Sequence, residues 1–123
     1  MKLTDLDPRW LTEDGRKVGF VFRSPTDARW YQSCFFEAGR KLMTCAEPAC
    51  YESDAWCCPH SQLGLAAGAG LNTEKVQGCN INCAWTAQGE LDFATLTVTP
   101  SLDGSPGGLW HGFITNGEIM GGL

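Results

Sequence analysis

Apolar and polar residues alternate most regularly late in the chain, in "LDFATLTVTPSL" (91–102). Phe93, Thr95, Thr97 and Thr99 fall on one side, Ala94, Leu96 and Val98 on the other. The period of two predicts a strand that Pro100 ends. Further on, "FIT" and "EIM" flank Asn116-Gly117. That dipeptide suits a two-residue hairpin turn, because both central positions need positive φ. A C-terminal β-hairpin is therefore expected. "KVGFVF" (17–22) is β-branched and aromatic, lies between the turn-forming "EDG" and "RSP", and reads as another strand. "RWYQSCFFEAG" (29–39) alternates well enough for a strand, with a helix capped by Thr26 or Asp27 as the alternative. Aromatic density and an upstream partner favour the strand. Order returns after a long interval with "NCAWTAQG" (82–89).

That interval, 44–84, is a different material. It holds six of the seven cysteines, many turn residues and little periodicity. A helical turn after Pro59 and a weak helix over "QLGLAAGAGL" (62–71) are the most it suggests, since each glycine costs about 1 kcal/mol against alanine in a helix. The expectation is one domain over 1–123, mainly β with α+β as the alternative. It comprises a small antiparallel sheet, a Cys-rich insertion at 44–84 and a closing hairpin.

Composition narrows the function classes. Hydrophobic content of 43% and charged content of 19% belong to a folded chain. The longest apolar run, Leu63 to Leu71, contains three glycines and is too short for a helical membrane span. "MKLTDLDPRW" lacks the apolar segment of a signal peptide, so a reducing cytoplasm is the default compartment. Net charge is −5, split as +2 over residues 1–41 and −7 over 42–123. That is a poor footprint for a phosphate backbone, so neither nucleic acid nor membrane is an expected partner.

The chemistry-bearing residues are mostly cysteines: "CAEPAC" (Cys45, Cys50), "CCPH" (Cys57, Cys58, His60) and "CNINC" (Cys79, Cys83), with His111 as a further imidazole. A structural zinc ion takes four thiolate or imidazole ligands, commonly offered in close pairs. These spacings fit the wide end of that pattern, and no tight C-x2-C is present. Disulfides compete, although seven cysteines are an odd number for a full framework. Buried thiols compete too, and Cys34, inside an aromatic strand, is expected to be one. Ser101, Asp103 and His111 have the types of a nucleophile, an orienting acid and a base. However, "TPSLDG" reads as a strand end entering a turn, not a nucleophile elbow, which sets that triad aside.

Taken in order, "GFVFRSP" (19–25), Trp85-Thr86, "TLTVTPSLDG" (95–104) and "GLWHGFITNGEI" (108–119) resemble a family of small bacterial and phage proteins of unknown function. Its members share an early Phe-x-Cys-Pro segment, a central Trp strand, a Thr/Ser-Pro-Ser-Ile/Leu segment and a closing Cys/Gly-x-x-His-x-x-Ile-x-x-Gly hairpin. The "DLDPRWL" and "DGRKVGFVFRSPT" opening is similar to the phage and prophage branch. The resemblance covers residues 5–24 and 83–120 and leaves the Cys-rich middle outside. It implies a metal site using the hairpin histidine, here His111. Ser24 stands where the family has its first cysteine, and Gly108 or Leu109 where it has the cysteine before the histidine. Some members carry the label ammonia monooxygenase, a membrane copper complex that a chain without a membrane span does not fit. Others lie beside ubiquitin-like conjugation genes, which implies a protein partner.

The resulting expectation is a phage- or prophage-encoded binding module without catalysis of its own, acting in the cytoplasm of the bacterial host. Zinc held by Cys45, Cys50, Cys57, Cys58, His60, Cys79, Cys83 and His111 would stabilise it. Two alternatives stand beside it. One is a capsid or tail accessory protein of the virion, assembled as a homo-oligomer or with other subunits. The other is a metal-assisted hydrolase using an open site at His111.

Overall fold

In the computed structural model, residues 1–13, 15–36, 67–77, 85–103 and 108–122 are described. They form a mainly β protein with two four-stranded sheets. The first comprises β1 (Arg9–Glu13), β2 (Arg16–Arg23), β3 (Tyr31–Phe35) and β4 (Val76–Gln77), in that order. The second comprises β5 (Thr86–Gln88), β6 (Thr97–Asp103), β7 (His111–Thr115) and β8 (Glu118–Met120), again in chain order. Neighbours are antiparallel except β3 and β4, which run parallel.

The strand expected over 17–22 is β2, and "RWYQSCFFEAG" contributes β3. Val18 to Phe22 are all buried, so β2 is covered on both faces. That explains why it reads as a continuous apolar run with no alternation. Cys34 is buried in the core beside Phe20 and Phe36, as its surroundings suggested. Of the suggested weak helix, the described end is a single turn closed by Gly70 N–H donating to Ala67 O. Beyond it, 71–77 are described and include a 3-10 turn at Thr73–Lys75 and β4, while 44–66 and 78–84 lie outside the described residues.

One core serves both sheets. Phe20, Phe22, Cys34 and Phe36 come from the first or its end; Leu96, Val98, Leu102, Trp110, Ile114 and Ile119 come from the second or its flanks. Leu3 and Leu6, on a 3-10 turn, close it from the N-terminus. Phe22 meets Trp110 edge-on at 5.9 Å and 85°, and Trp10 stacks on Phe93 at 4.0 Å and 14°. Gln32 adds a polar link in this interior. Its Nε2 donates to Trp110 O and its Oε1 accepts from Trp110 N–H, both at 3.1 Å.

The structure corrects the strand expected from residue 91 onward. Residues 93–95 form a turn: Asp92 Oδ1 accepts from Ala94 N–H at 2.9 Å and Asp92 O from Thr95 N–H at 3.1 Å. An aspartate that bonds its own backbone two residues on competes with strand pairing. Pro100 does not end β6 either. Between Val98 and Leu102 the ladder with β7 advances four residues on β6 and two on β7, then continues to Asp103. A bulge is where a strand tolerates proline, because the missing N–H is not needed there. β1 was not anticipated.

The terminal hairpin forms as expected. Asn116 and Gly117 have φ of 48° and 75°, the left-handed values that the turn demands. Gly117 is further constrained, since a Cβ there would run into the carbonyl of Ala94. The outer edge of β8 is partly paired by the N-terminus. Ile119 N–H donates to Met1 O and Leu3 N–H to Gly117 O, both at 2.8 Å.

Candidate functional site

β7 alternates exposed and buried, so His111, Phe113 and Thr115 face outward while Gly112 and Ile114 face the core. Phe113 pairs across the ladder with Met120, and the two are 52% and 51% exposed. Asp103 is the ladder partner of His111. Ser101, two residues earlier on β6, places its Oγ 3.3 Å from His111 Nε2. The outer face of the second sheet thus gathers a serine–imidazole contact and an aromatic–thioether pair, with exposed Thr86, Thr99 and Thr115 around them.

Each outward residue is held from behind. Trp85 Nε1 donates to Ser101 O at 3.2 Å, fixing the backbone of the bulge. Trp110, immediately before His111, is pinned by Gln32 through its backbone and by Nε1 donating to Gly121 O at 2.8 Å. Gly112 lies under the Trp110 ring: a Cβ there would sit 2.5 Å from a ring carbon. The absence of a side chain at 112 lets β7 approach the indole that orients the residues on either side.

A second polar cluster lies on the first sheet. Tyr31 OH donates to Asp7 Oδ2 at 2.6 Å, Arg9 donates to the same oxygen at 3.0 Å, and Arg23 donates to Tyr31 OH at 3.2 Å. The Tyr31 hydroxyl, then Arg9, holds the Asp7 carboxyl below its ordinary value. Arg9 also donates to Ala69 O at 2.9 Å, tying this end of the sheet to a residue sixty positions away. Its hydrogen bonds run between protein groups, so it serves as a staple.

Of the proposed zinc ligands, Cys45, Cys50, Cys57, Cys58, His60, Cys79 and Cys83 all lie outside the described residues. His111 is the described one, exposed and in contact with Ser101. Among the described residues no group of three or more His, Cys, Asp and Glu is placed to hold a metal ion. The strand end expected at "TPSLDG" is the last part of β6, through Asp103, with Ser101 inside it beside the imidazole, while the turn expected to follow lies outside the described residues. Residue types gave Ser101, Asp103 and His111; the β6–β7 register supplies their proximity, and the bulge brings Asp103 opposite His111. Phe113 and Met120 were missed as a surface pair, although the period of two around Asn116-Gly117 puts them on one face. Among the described residues no helix is long and apolar enough to cross a membrane. Compared with protein-family models, curated proteins and solved structures, the chain finds no match.

Proposed function

We propose that this protein is a phage- or prophage-encoded binding module that docks a protein partner on the outer face of its second sheet. The carrying observation is the exposed Phe113–Met120 pair. Two large apolar side chains stand side by side on a face otherwise lined by polar residues: threonines, Gln88, Ser101, His111 and Glu118. An aromatic anchor with a flexible thioether beside it is the composition of an interface centre, and a threonine rim supplies hydrogen-bonding groups around it. The motif order shared with the small bacterial and phage family supports the same task, and docking requires no reaction. Zinc bound by the cysteines of 44–84 and His60 would brace the Cys-rich segment. His111 belongs to the docking face in this proposal, its Nε2 being engaged with Ser101.

The test is a photo-crosslinker, p-benzoylphenylalanine, incorporated at position 113 in host cells. It should trap one defined partner, and Met120→Glu should abolish the adduct. The same probe at exposed Thr26 should give no such product. Equal adducts from both positions, or none from 113, overturn the docking face. A capsid or tail subunit in the adduct would place the module in the virion, and a host protein would place it in the cytoplasm. Separately, protein purified without added metal should carry about one zinc per chain. A metal-free preparation that stays folded removes the zinc site.

A further inference from the structure

We propose that Ser101 is an activated nucleophile, with His111 as its general base, able to take an acyl or phosphonyl group from an ester. This goes beyond docking and stands whether or not a partner binds. Three observations carry it. Ser101 Oγ and His111 Nε2 are 3.3 Å apart on an exposed face, open to a ligand. That separation is slightly long for a hydrogen bond, as such contacts commonly are before substrate is bound. Ser101 sits at the β6 bulge beside Pro100, where strand geometry departs from the regular ladder and can re-aim a side chain. The site is also held from behind: Trp85 fixes the Ser101 carbonyl, and Gln32 fixes the backbone of Trp110 next to His111. Phe113, two residues along β7 on the same face as His111, offers an apolar surface to the acyl chain of a substrate.

The step balances with water as the second reactant. Ser101 Oγ attacks the carbonyl carbon and its proton passes to His111 Nε2. The bond to the leaving alkoxide breaks with its electron pair, and that alkoxide takes the proton from Nε2. Water then attacks the acyl-serine, losing a proton to Nε2, and Ser101 recovers one as the carboxylic acid leaves. The substrate class is an ester with a small apolar acyl group, because the face is open and Phe113 is the adjacent apolar surface.

A fluorophosphonate reagent tests the first half without a known substrate. Attack forms the Oγ–P bond and expels fluoride, so intact-mass and peptide analysis should show one adduct, on Ser101. Ser101→Ala should remove it. His111→Gln should slow labelling by about 100-fold or more, the usual scale of general-base help. Circular dichroism and tryptophan fluorescence should meanwhile show both variants folded. An unlabelled wild type, an adduct on another serine, or a His111→Gln variant labelled as fast as wild type each overturn the assignment. Failure of the crosslinking experiment leaves this result untouched, so the two ideas fall separately.

Discussion

Replacing Gln32 with methionine, similar in length but without hydrogen-bonding capacity, probes the polar link in the core. The side chain is 4% exposed and satisfies both the N–H and the C=O of Trp110. With methionine there, two buried backbone groups lose their partners. Each such loss costs about 1–3 kcal/mol, so the variant should be roughly 2–6 kcal/mol less stable. The near-equal volume keeps the packing contribution below about 1.5 kcal/mol. Against a total of about 5–15 kcal/mol for a typical domain this is a large fraction. For a small domain with a urea slope of about 1–3 kcal/mol per molar, the unfolding midpoint should drop by about 0.7 M or more. Tryptophan fluorescence in a urea titration reads it. Gln32→Glu separates polarity from shape. The ionised carboxylate still accepts from Trp110 N–H but cannot donate to Trp110 O, and it is a buried charge. Burial raises the folded-state pKa of that carboxyl, so the variant gains relative stability below the ordinary Glu value and loses it as pH rises. A Gln32→Met midpoint within about 0.3 M of wild type would refute the claim that this contact stabilises the core; by the slopes above, so small a shift is under about 1 kcal/mol.

Gly117→Ala should cost about 2 kcal/mol or more in the same titration, because it combines an unfavourable left-handed φ with a side chain aimed at the Ala94 carbonyl. Tyr31→Phe should move the Asp7 carboxyl back toward its ordinary value, read by NMR titration, since the Tyr31 hydroxyl is the largest cause of its depression. Asp27 should titrate at about 2 rather than 3.8, held down by the Arg29 side chain and then by the Arg29 backbone N–H. A depressed acid contributes stability above its unfolded value and loses it as pH falls through the folded one, here from 3.8 toward about 2. Arg29→Gln should return the midpoint toward 3.8. Both side chains are solvent-accessible, so global stability at neutral pH should not shift measurably. Phe113→Ser should leave the urea midpoint nearly unchanged, because half the ring is already in water, while abolishing partner capture.

What could be read from the chain follows how local each determinant is. The Asn116-Gly117 hairpin and the apolar run of β2 declare themselves through adjacent residues, and both form as expected. The β6 boundaries do not. Phe93 alternates perfectly with its neighbours, yet its burial comes from Trp10, a residue of β1 far along the chain, while Asp92 turns the backbone beneath it. Gln32 shares its side of the strand with Trp30, Cys34 and Phe36, yet the partner that makes a buried amide tolerable, the Trp110 backbone, shows only once the second sheet is in place. The zinc candidates other than His111 fall outside the described residues.

The Ser101–His111 contact is the sharpest case of a site whose residue types are visible and whose geometry is not. A regular β6 carried straight on from Val98 opposite Ile114 would bring Pro100, not Leu102, opposite Gly112. That would put Ser101 directly opposite His111 and still on the outer face, with Asp103 carried past it to lie opposite Leu109, because residues two apart on a strand share a face. The observed ladder instead brings Leu102 opposite Gly112 and Asp103 opposite His111, so Ser101 keeps the outer face and meets the imidazole on the diagonal, Oγ to Nε2 at 3.3 Å. Proline at 100 favours that outcome, since it has no N–H to donate to a regular ladder and is accommodated at a bulge. Leu102 then fills the core, and its burial sets the phase of the three residues that end β6. The physical origin of the site is therefore a proline that shifts the register by two residues and a leucine that holds the same face toward the core, so that Ser101 and Asp103 both stay beside His111. Pro100→Val would favour the regular ladder, bringing Ser101 directly opposite His111 and carrying Asp103 away from it, which cross-strand nuclear Overhauser contacts to His111 would read.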